Sequence, residues 1–222
     1  MKNELIVENS PKSVISEDIR TVRTNLEFSL VDDAKTIMVT SSIPGEGKSF
    51  ISSNLATAFA QNNKKVLLID CDLRLGRDHK IFNLSNKKGL SNLILKLDSD
   101  THYEEYIQKT EVKNLFVIPR GVVPPNPSEL LSSKKFVKII KDLGKVFDQI
   151  ILDCVPVNGL SDALVVSKTV DKVLIVSRYG KTDIEDLENT KKSLENVGAS
   201  IAGVVLNSIP KSRSKYGNYY GN

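Results

Sequence analysis

Short apolar segments recur along the chain, and stretches with helical spacing of apolar residues separate them. The segments lie at residues 37–39, 66–70, 115–118, 150–153, 173–177 and 202–206. Each is apolar along most of its length, which predicts strands buried on both faces, as in a parallel sheet. We therefore predict an α/β fold of the P-loop NTPase type, with a mostly parallel sheet flanked by helices on both faces.

A glycine-rich turn, residues 44–49, separates the first apolar segment from the first helical stretch. Its sequence, Pro-Gly-Glu-Gly-Lys-Ser, is typical of a phosphate-binding P-loop. Glycines let backbone N–H groups surround phosphate oxygens beside the electropositive start of a helix. Lys48 is predicted to bind the β- and γ-phosphates, and the Ser49 hydroxyl to bind Mg²⁺. Ser42 replaces a usual glycine, so a chance turn before a helix is the alternative.

Three acidic residues follow strands of the predicted sheet. Asp70 ends the second segment, Asp72 comes two residues later, and Asp153 ends the fourth. Ligands of open α/β sheets bind beyond the carboxyl ends of the strands, so these acids are expected beside the phosphates. Asp153 matches the Walker B position, which holds Mg²⁺ directly or through water. Aspartates also end strands simply to begin turns, which is the alternative. Asn207 ends the last strand and is expected to face the nucleotide base.

Composition narrows the class of protein. The 222 residues are 40% hydrophobic and 26% charged, as expected for one globular domain. A net charge of +4 is no argument for binding nucleic acid. No segment approaches the 18 apolar residues of a membrane span, and no signal-peptide core follows the N-terminus. We therefore expect a cytoplasmic protein.

The N-terminal residues 1–30 predict an arm followed by an amphipathic helix, with Ser16 as its N-cap. Glu17, Arg20 and Arg23 recur every three residues beside the apolar face. This spacing is compatible with a solvated charged stripe or with a contact between subunits.

The C-terminal residues 210–222 differ from the rest of the chain, the domain at residues 1–209. They contain Tyr216, Tyr219 and Tyr220 among basic and small residues, with no apolar periodicity. Such a segment cannot bury enough surface to fold alone, so we predict a flexible, disordered tail.

Further helices are predicted between the apolar segments. One runs from residue 127 past residue 140, and shorter helical pieces lie at residues 90–97 and 103–109. Thr182 and Glu185 are predicted to form a capping box at the start of another helix.

Together these motifs resemble the bacterial tyrosine kinases of capsule and exopolysaccharide synthesis, specifically the separate cytoplasmic subunits of Gram-positive bacteria. The resemblance covers nearly the whole chain. It rests on residues 16–25, 44–49, 69–74, 124–130 and 151–153 and on the tyrosine tail.

The resemblance implies a protein-tyrosine kinase that uses ATP and Mg²⁺ to phosphorylate its own tail at Tyr216, Tyr219 and Tyr220. Lys48 and Ser49 would be the Walker A pair, and Asp70 the acceptor of the tyrosine proton. The helix of Glu17, Arg20 and Arg23 would form a ring of subunits. A membrane-embedded chain-length regulator that activates the kinase, and a tyrosine phosphatase, would be its partners. The protein would then lie at the inner face of the membrane. The predicted nucleotide-binding residues are Pro44, Gly45, Glu46, Gly47, Lys48, Ser49, Phe50 and Asn207; the predicted metal ligands are Ser49, Asp72 and Asp153.

Some positions depart from the family's usual sequence. Phe50 stands where threonine is common, and Cys154 where threonine or serine is usual. Two other functions remain as alternatives, the first because it shares the fold and all three acidic positions, the second because of these departures. One is a positioning ATPase that acts as a switch. That class carries a second lysine five residues before the Walker lysine, and this chain has Ile43 at that position. The other is an ATP-gated scaffold without catalysis.

Overall fold

The computed structural model describes residues 4–30, 34–98 and 102–210. Within them, seven strands form one sheet. The strands are β1 (Thr36–Ser41), β2 (Val66–Asp70), β3 (Gln108–Lys109), β4 (Leu115–Ile118), β5 (Gln149–Asp153), β6 (Lys172–Arg178) and β7 (Ile201–Asn207). Their order is β3-β4-β2-β5-β1-β6-β7, and neighbours are parallel except β3 and β4. The predicted mostly parallel sheet and its six strands are confirmed.

Helices cover both faces of the sheet, as predicted. They are α1 (Ile6–Asn9), α2 (Val14–Ser29), α3 (Lys48–Gln61), α4 (Asp78–Ile81), α5 (Leu90–Lys96), α6 (Pro127–Ser132), α7 (Lys134–Leu143), α8 (Asp162–Ser167) and α9 (Ile184–Asn196). Side chains of α1 to α4 fill one core layer, and those of α5 to α9 fill the other. Alternate residues of β1 enter opposite layers, with Ile37 and Val39 in the first and Met38 in the second.

The parallel register brings the predicted site residues to one edge of the sheet. Asp70 of β2 lies opposite Asp153 of β5, and β5 also pairs with β1, from which the glycine-rich turn leaves. Arg178 at the end of β6 lies opposite Asn207 at the end of β7. The carboxyl ends of five neighbouring strands therefore surround the start of α3.

Several predicted helix boundaries are wrong. Ser13, not Ser16, caps α2, because its hydroxyl accepts the N–H of Ser16 at 3.2 Å. Thr182 does not cap α9, whose N-cap is Asp183; the Thr182 hydroxyl instead contacts Glu46 of the glycine-rich turn. The helix predicted from residue 127 past residue 140 is two helices, because Ser133 ends α6 and caps α7. Residues 103–109 are a 3₁₀ turn and the short strand β3 rather than one helical piece.

The N-terminal arm packs on α3, the helix that follows the glycine-rich turn. The Asn54 side chain accepts the N–H of Val7 at 3.0 Å and donates to the carbonyl of Glu4 at 2.7 Å. Arg23 of α2 donates to the carbonyl of Ala58 at 3.2 Å. The start of the chain is thus tied to the helix that begins at Lys48. In the part of the chain that is described, no helix is long and apolar enough to cross a membrane.

Candidate active site

The conformation of the glycine-rich turn requires its glycines. Gly45 has φ of +79° and Gly47 has φ of +101°, a region that residues with a Cβ rarely adopt. A Cβ at Gly47 would also lie 2.2 Å from Nδ2 of Asn207. α3 begins at Lys48, directly after Gly47, so the turn leads into a 14-residue helix whose N-terminus attracts anions. The predicted P-loop conformation is therefore present.

The buried side chain of Glu46 stabilises the glycine-rich turn through hydrogen bonds. Its buried carboxylate accepts the N–H of Ile43 at 2.8 Å with one oxygen. The other oxygen accepts the N–H of Arg178 at 3.2 Å and the hydroxyl of Thr182. Both oxygens are therefore bonded within the chain, and the carboxylate of Glu46 holds the turn against the end of β6.

Three side chains from the β6–β7 side of the sheet also bind carbonyls of the turn. Asn207 donates to the carbonyl of residue 46 at 2.9 Å, Lys181 to that of residue 44 at 2.6 Å and Arg178 to that of residue 45 at 3.2 Å. Asn207, predicted to face the base, thus lies against the turn itself. Sequence reasoning missed Arg178 and Lys181, because no motif marks residues more than 130 positions from the turn that they contact.

Asp153 lies at the start of α3, beside the hydroxyls of Ser49 and Ser52. Burial raises the pKa of Asp153 to about 6, against the lowering effect of these two hydroxyls and of the Lys48 charge. Its Oδ1 has no hydrogen-bond partner among the described residues. A carboxylate oxygen and a serine hydroxyl are the oxygen ligands that Mg²⁺ prefers. With the electropositive helix start, these residues fit a nucleotide with its Mg²⁺.

Asp70 is fully buried, and its pKa is well above the ordinary value. The cause is burial, to which the negative charges of Asp153 and Asp72 add. Its Oδ2 accepts the N–H of Asp78 at 3.2 Å. Gly76 lies so close that a Cβ there would be 2.1 Å from Oδ1 of Asp70. A tyrosine hydroxyl therefore reaches this carboxylate only when the segment around Gly76 moves.

Asp72 has a different environment from the other strand-end acids. It is partly exposed, and its Oδ1 accepts the N–H groups of Arg74 at 3.1 Å and Leu75 at 2.8 Å. The third acid in contact range of Asp70 and Asp153 is instead Asp78. One oxygen from each of these three buried residues lies within 4.8 Å of the others. Sequence reasoning missed Asp78, which begins a helix of only four residues in a polar stretch.

The residues predicted to form contacts between subunits make contacts within the chain. Arg20 donates to Glu17 within α2 and to the carbonyl of Pro11 in the arm before it. Arg23 donates to the carbonyl of Ala58 in α3, and its Nε lies 3.7 Å from a carboxylate oxygen of Glu27. The Glu17 side chain is 56% exposed, whereas that of Arg23 is 17% exposed.

The tail tyrosines at positions 216, 219 and 220 lie outside the described residues. The predicted disorder of the tail concerns residues 211–222 in the same way, because the description of the chain ends at residue 210.

The buried acids predict a pH dependence of stability. In the metal-free protein, the free energy of unfolding is expected to fall as the pH rises through about 6. The pKa values of Asp70, Asp78 and Asp153 are raised by burial, so the folded protein keeps protons that the unfolded chain releases near pH 4. The protonated acids therefore stabilise the folded protein fully below about pH 4, and this stabilisation is lost as the pH rises above the pKa values of the folded protein.

Urea unfolding in a chelator, at a series of pH values, measures this effect. Asp70→Asn is the comparison, because it removes one of the interacting charges and should flatten the profile. A wild-type profile that rises with pH over this range would contradict the assignment of raised pKa values.

A parallel sheet, a P-loop after β1 and buried acids at the ends of β2 and β5 define a P-loop nucleotide-binding protein. A family model described as an AAA domain matches residues 34–202. The tyrosine-protein kinase YwqD of Bacillus subtilis is 40% identical over 223 residues, covering 100% of this chain and 92% of its own. The putative tyrosine-protein kinase CapB of Staphylococcus aureus is 39% identical, covering 98% of this chain and 95% of its own. This chain belongs to the family of bacterial tyrosine-protein kinases.

The fold agrees with this membership. The crystal structure of the chimerical protein CapA2B2 superposes with a TM-score of 0.88 and 40% identity, covering 93% of this chain and 90% of that one. The predicted resemblance to the cytoplasmic kinase subunits of Gram-positive bacteria is therefore confirmed. With it, the predicted enzyme class, a protein-tyrosine kinase, is confirmed as well.

Proposed function

We propose that this kinase transfers the γ-phosphoryl group of ATP to the tyrosines of its own tail, Tyr216, Tyr219 and Tyr220. The observation that carries the proposal is the start of α3, where the Ser49 hydroxyl and the unpartnered Oδ1 of Asp153 adjoin the P-loop. A P-loop beside paired hydroxyl and carboxylate oxygens is the arrangement that binds a nucleotide with Mg²⁺.

Each residue at this edge has a proposed task. Lys48 and the N–H groups of the turn bind the β- and γ-phosphates. Ser49 and Asp153 hold the cation, and Asp72 adds negative charge nearby. Asn207 and Phe50 contact the rest of the nucleotide. Bound ATP and Mg²⁺ supply the phosphoryl group and the charge neutralisation, so these residues work by positioning.

Asp70 is the proposed acceptor of the tyrosine proton. A phenol has a pKa of about 10 and is a poor nucleophile until it loses its proton. The phenolic oxygen bonds to phosphorus as the bond to ADP breaks, and the proton passes to the carboxylate. A raised pKa makes Asp70 a stronger base than an ordinary aspartate. The segment around Gly76 must open first, since it covers the carboxylate.

The cellular role proposed here follows from the family. The relatives include a putative tyrosine-protein kinase in the cps region of Klebsiella pneumoniae. We propose that this chain regulates the polymerisation and export of a capsular or exopolysaccharide. A membrane-embedded chain-length regulator would activate it and hold it at the inner face of the cell membrane, and a tyrosine phosphatase would reverse the modification.

We propose that subunits assemble through the helix of Glu17, Arg20 and Arg23. Replacing Arg20 breaks its bond to the carbonyl of Pro11, and replacing Arg23 breaks its bond to a carbonyl of α3. Replacing the more exposed Glu17 breaks only its surface ion pair with Arg20 among the contacts of the described residues, so Glu17 offers the cleaner test. Glu17→Arg is expected to return the oligomer to monomer, because the helix would then carry only positive charge at these three positions and would repel the same helix of a neighbouring subunit. Sedimentation of the protein with ATP present measures the mass of the assembly. Glu188→Arg, at an exposed position of α9, is the control. An unchanged mass for Glu17→Arg would refute this interface.

The function itself is tested by incubating the full chain with Mg²⁺ and γ-labelled ATP, alone and with the cytoplasmic end of a chain-length regulator. We expect phosphotyrosine on the protein, and its loss when the three tail tyrosines are replaced by Phe. Labelled phosphate released without phosphotyrosine would instead indicate a switch ATPase. Nucleotide binding without turnover would indicate a scaffold. Either result would refute the proposal.

A further inference from the structure

The four residues 74–77 form a cover over the carboxylate of Asp70. Gly76 is buried against this carboxylate, where a Cβ would lie 2.1 Å from Oδ1, whereas the other three residues of the cover are exposed. The other carboxylate oxygen accepts the N–H of Asp78, directly after the cover, at 3.2 Å. What holds the cover in this position therefore controls access to Asp70.

Apolar packing contributes little to holding the cover. Leu75 is 84% exposed, whereas Leu73, directly before the cover, is fully buried. Polar contacts with distant residues hold the cover instead. Nε of Arg74 lies 3.1 Å from a carboxylate oxygen of Asp162, and Arg120 donates to the carbonyl of Arg74 at 3.0 Å. Contacts of partly exposed side chains are individually weak, so the cover can open while the sheet stays folded.

A third contact joins the cover to the N-terminal arm. Nη2 of Arg77 lies 2.7 Å from one carboxylate oxygen of Glu4 and 2.8 Å from the other. The carbonyl of Glu4 accepts Nδ2 of the buried Asn54 on α3 at 2.7 Å, and the same side chain accepts the N–H of Val7. The Glu4–Arg77 ion pair therefore connects the end of the cover, through the arm, to α3.

We propose that the N-terminal arm inhibits the active site of its own chain, because the Glu4–Arg77 ion pair holds the cover closed over Asp70. This inference rests on the proposed function, in which a tyrosine hydroxyl must reach the carboxylate of Asp70. Releasing the arm opens the cover and raises the fraction of molecules that accept a tyrosine. The arm leads into α2, the helix proposed to join subunits, so this control lies beside the proposed assembly surface.

Amide hydrogen exchange of the full chain, followed residue by residue, tests the contact. The N–H of Gly76 donates to the carbonyl of Asp72 at 2.8 Å, and that of Asp78 donates to the buried Asp70, so both exchange when the cover opens. Glu4→Ala is expected to speed exchange at both positions about twofold to fivefold, the effect of one partly exposed ion pair on an equilibrium.

Glu8→Ala is the matched control for this variant. Glu8 lies in the same arm, but its carboxylate accepts Nε2 of Gln61 and not a group of the cover, so exchange at Gly76 should stay unchanged. Exchanging the two charges, in the double variant Glu4→Arg with Arg77→Glu, is expected to restore slow exchange.

The rate of tail phosphorylation in the same variants tests the inhibition itself. With γ-labelled ATP, the rate is expected to rise about twofold to fivefold in Glu4→Ala and to stay unchanged in Glu8→Ala. The affinity for ATP should be the same in both, because the cover controls access to Asp70 and not to the P-loop.

Three results would overturn the proposal. They are unchanged exchange in Glu4→Ala, an equal effect in Glu8→Ala, and faster exchange without faster phosphorylation. A wild type that forms no phosphotyrosine would instead overturn the proposed function, and the exchange rates would still decide whether the arm holds the cover.

Discussion

Replacing Lys48 with Met is expected to lower the rate of tail phosphorylation by about 10³-fold, the loss typical of removing one charged group that stabilises a transition state. Lys48 is the first residue of α3 and is partly exposed, so its side chain contributes little to packing. The melting temperature should therefore stay close to that of the wild type. Phosphotyrosine formation and thermal unfolding measure the two effects separately.

Lys181→Met is the matched control for this variant. Lys181 is also a flexible cation at the P-loop, but its Nζ donates to the carbonyl of Pro44 and not to a phosphate in this account. Its loss is expected to cost about tenfold, the low end for one hydrogen bond made by a charged group, because this one is exposed to solvent. Equal rates for Lys48→Met and the wild type would contradict the P-loop assignment.

Asp153→Asn is expected to weaken ATP binding about 10²-fold in Mg²⁺ while leaving binding in a chelator nearly unchanged. The carboxylate lies buried beside the hydroxyls of Ser49 and Ser52, and in the proposed site it would act on the cation rather than on the phosphates. Asp72→Asn should have the smaller effect, because Asp72 is partly exposed and one of its oxygens already accepts two backbone N–H groups. Calorimetry with and without Mg²⁺ measures both variants.

Two results would contradict this account of the metal. One is equal ATP affinity in Mg²⁺ and in chelator for the wild type, which would show that the carboxylates do not act through a cation. The other is a larger loss of Mg²⁺-dependent affinity in Asp72→Asn than in Asp153→Asn. In that case the partly exposed Asp72, and not the buried Asp153, would be the main ligand.

The sheet and the P-loop were predictable because their signals are local. A buried parallel strand needs an apolar segment, and a phosphate-binding turn needs glycines before a helix, so both are visible in a few adjacent residues. The strand-end acids Asp70 and Asp153 followed from the same rule, since the carboxyl ends of parallel strands share one edge. The register of β2 against β5 places these two residues side by side.

The remaining site residues depend on contacts between distant parts of the chain. Asp78 reaches the cluster only because the turn at Gly76 folds back over Asp70. Arg178 binds the P-loop because β6 lies beside β1 in the sheet, an order that the sequence does not state. Arg23 belongs to a regular charge pattern, yet its contact is a carbonyl of α3. Such pairings arise from tertiary packing and have no local signature.

We propose that, within the assembly, the P-loop site of one subunit phosphorylates the tail of another copy of the same chain. Asn207 lies against the P-loop, and Tyr216 follows it by only nine residues in the sequence. A segment of about that length that doubles back on its own exit is expected to bring a tyrosine in line with its own nucleotide only rarely. A neighbouring subunit presents its tail at the high effective concentration that assembly provides.

The most direct measurement mixes two variants with γ-labelled ATP. One is Lys48→Met with its tyrosines intact, and the other is an active subunit with Phe at positions 216, 219 and 220. We predict label on the Lys48→Met subunit, at the tail tyrosines. An unlabelled Lys48→Met subunit in verified mixed assemblies, while the wild type is labelled at a rate independent of concentration, would contradict the claim.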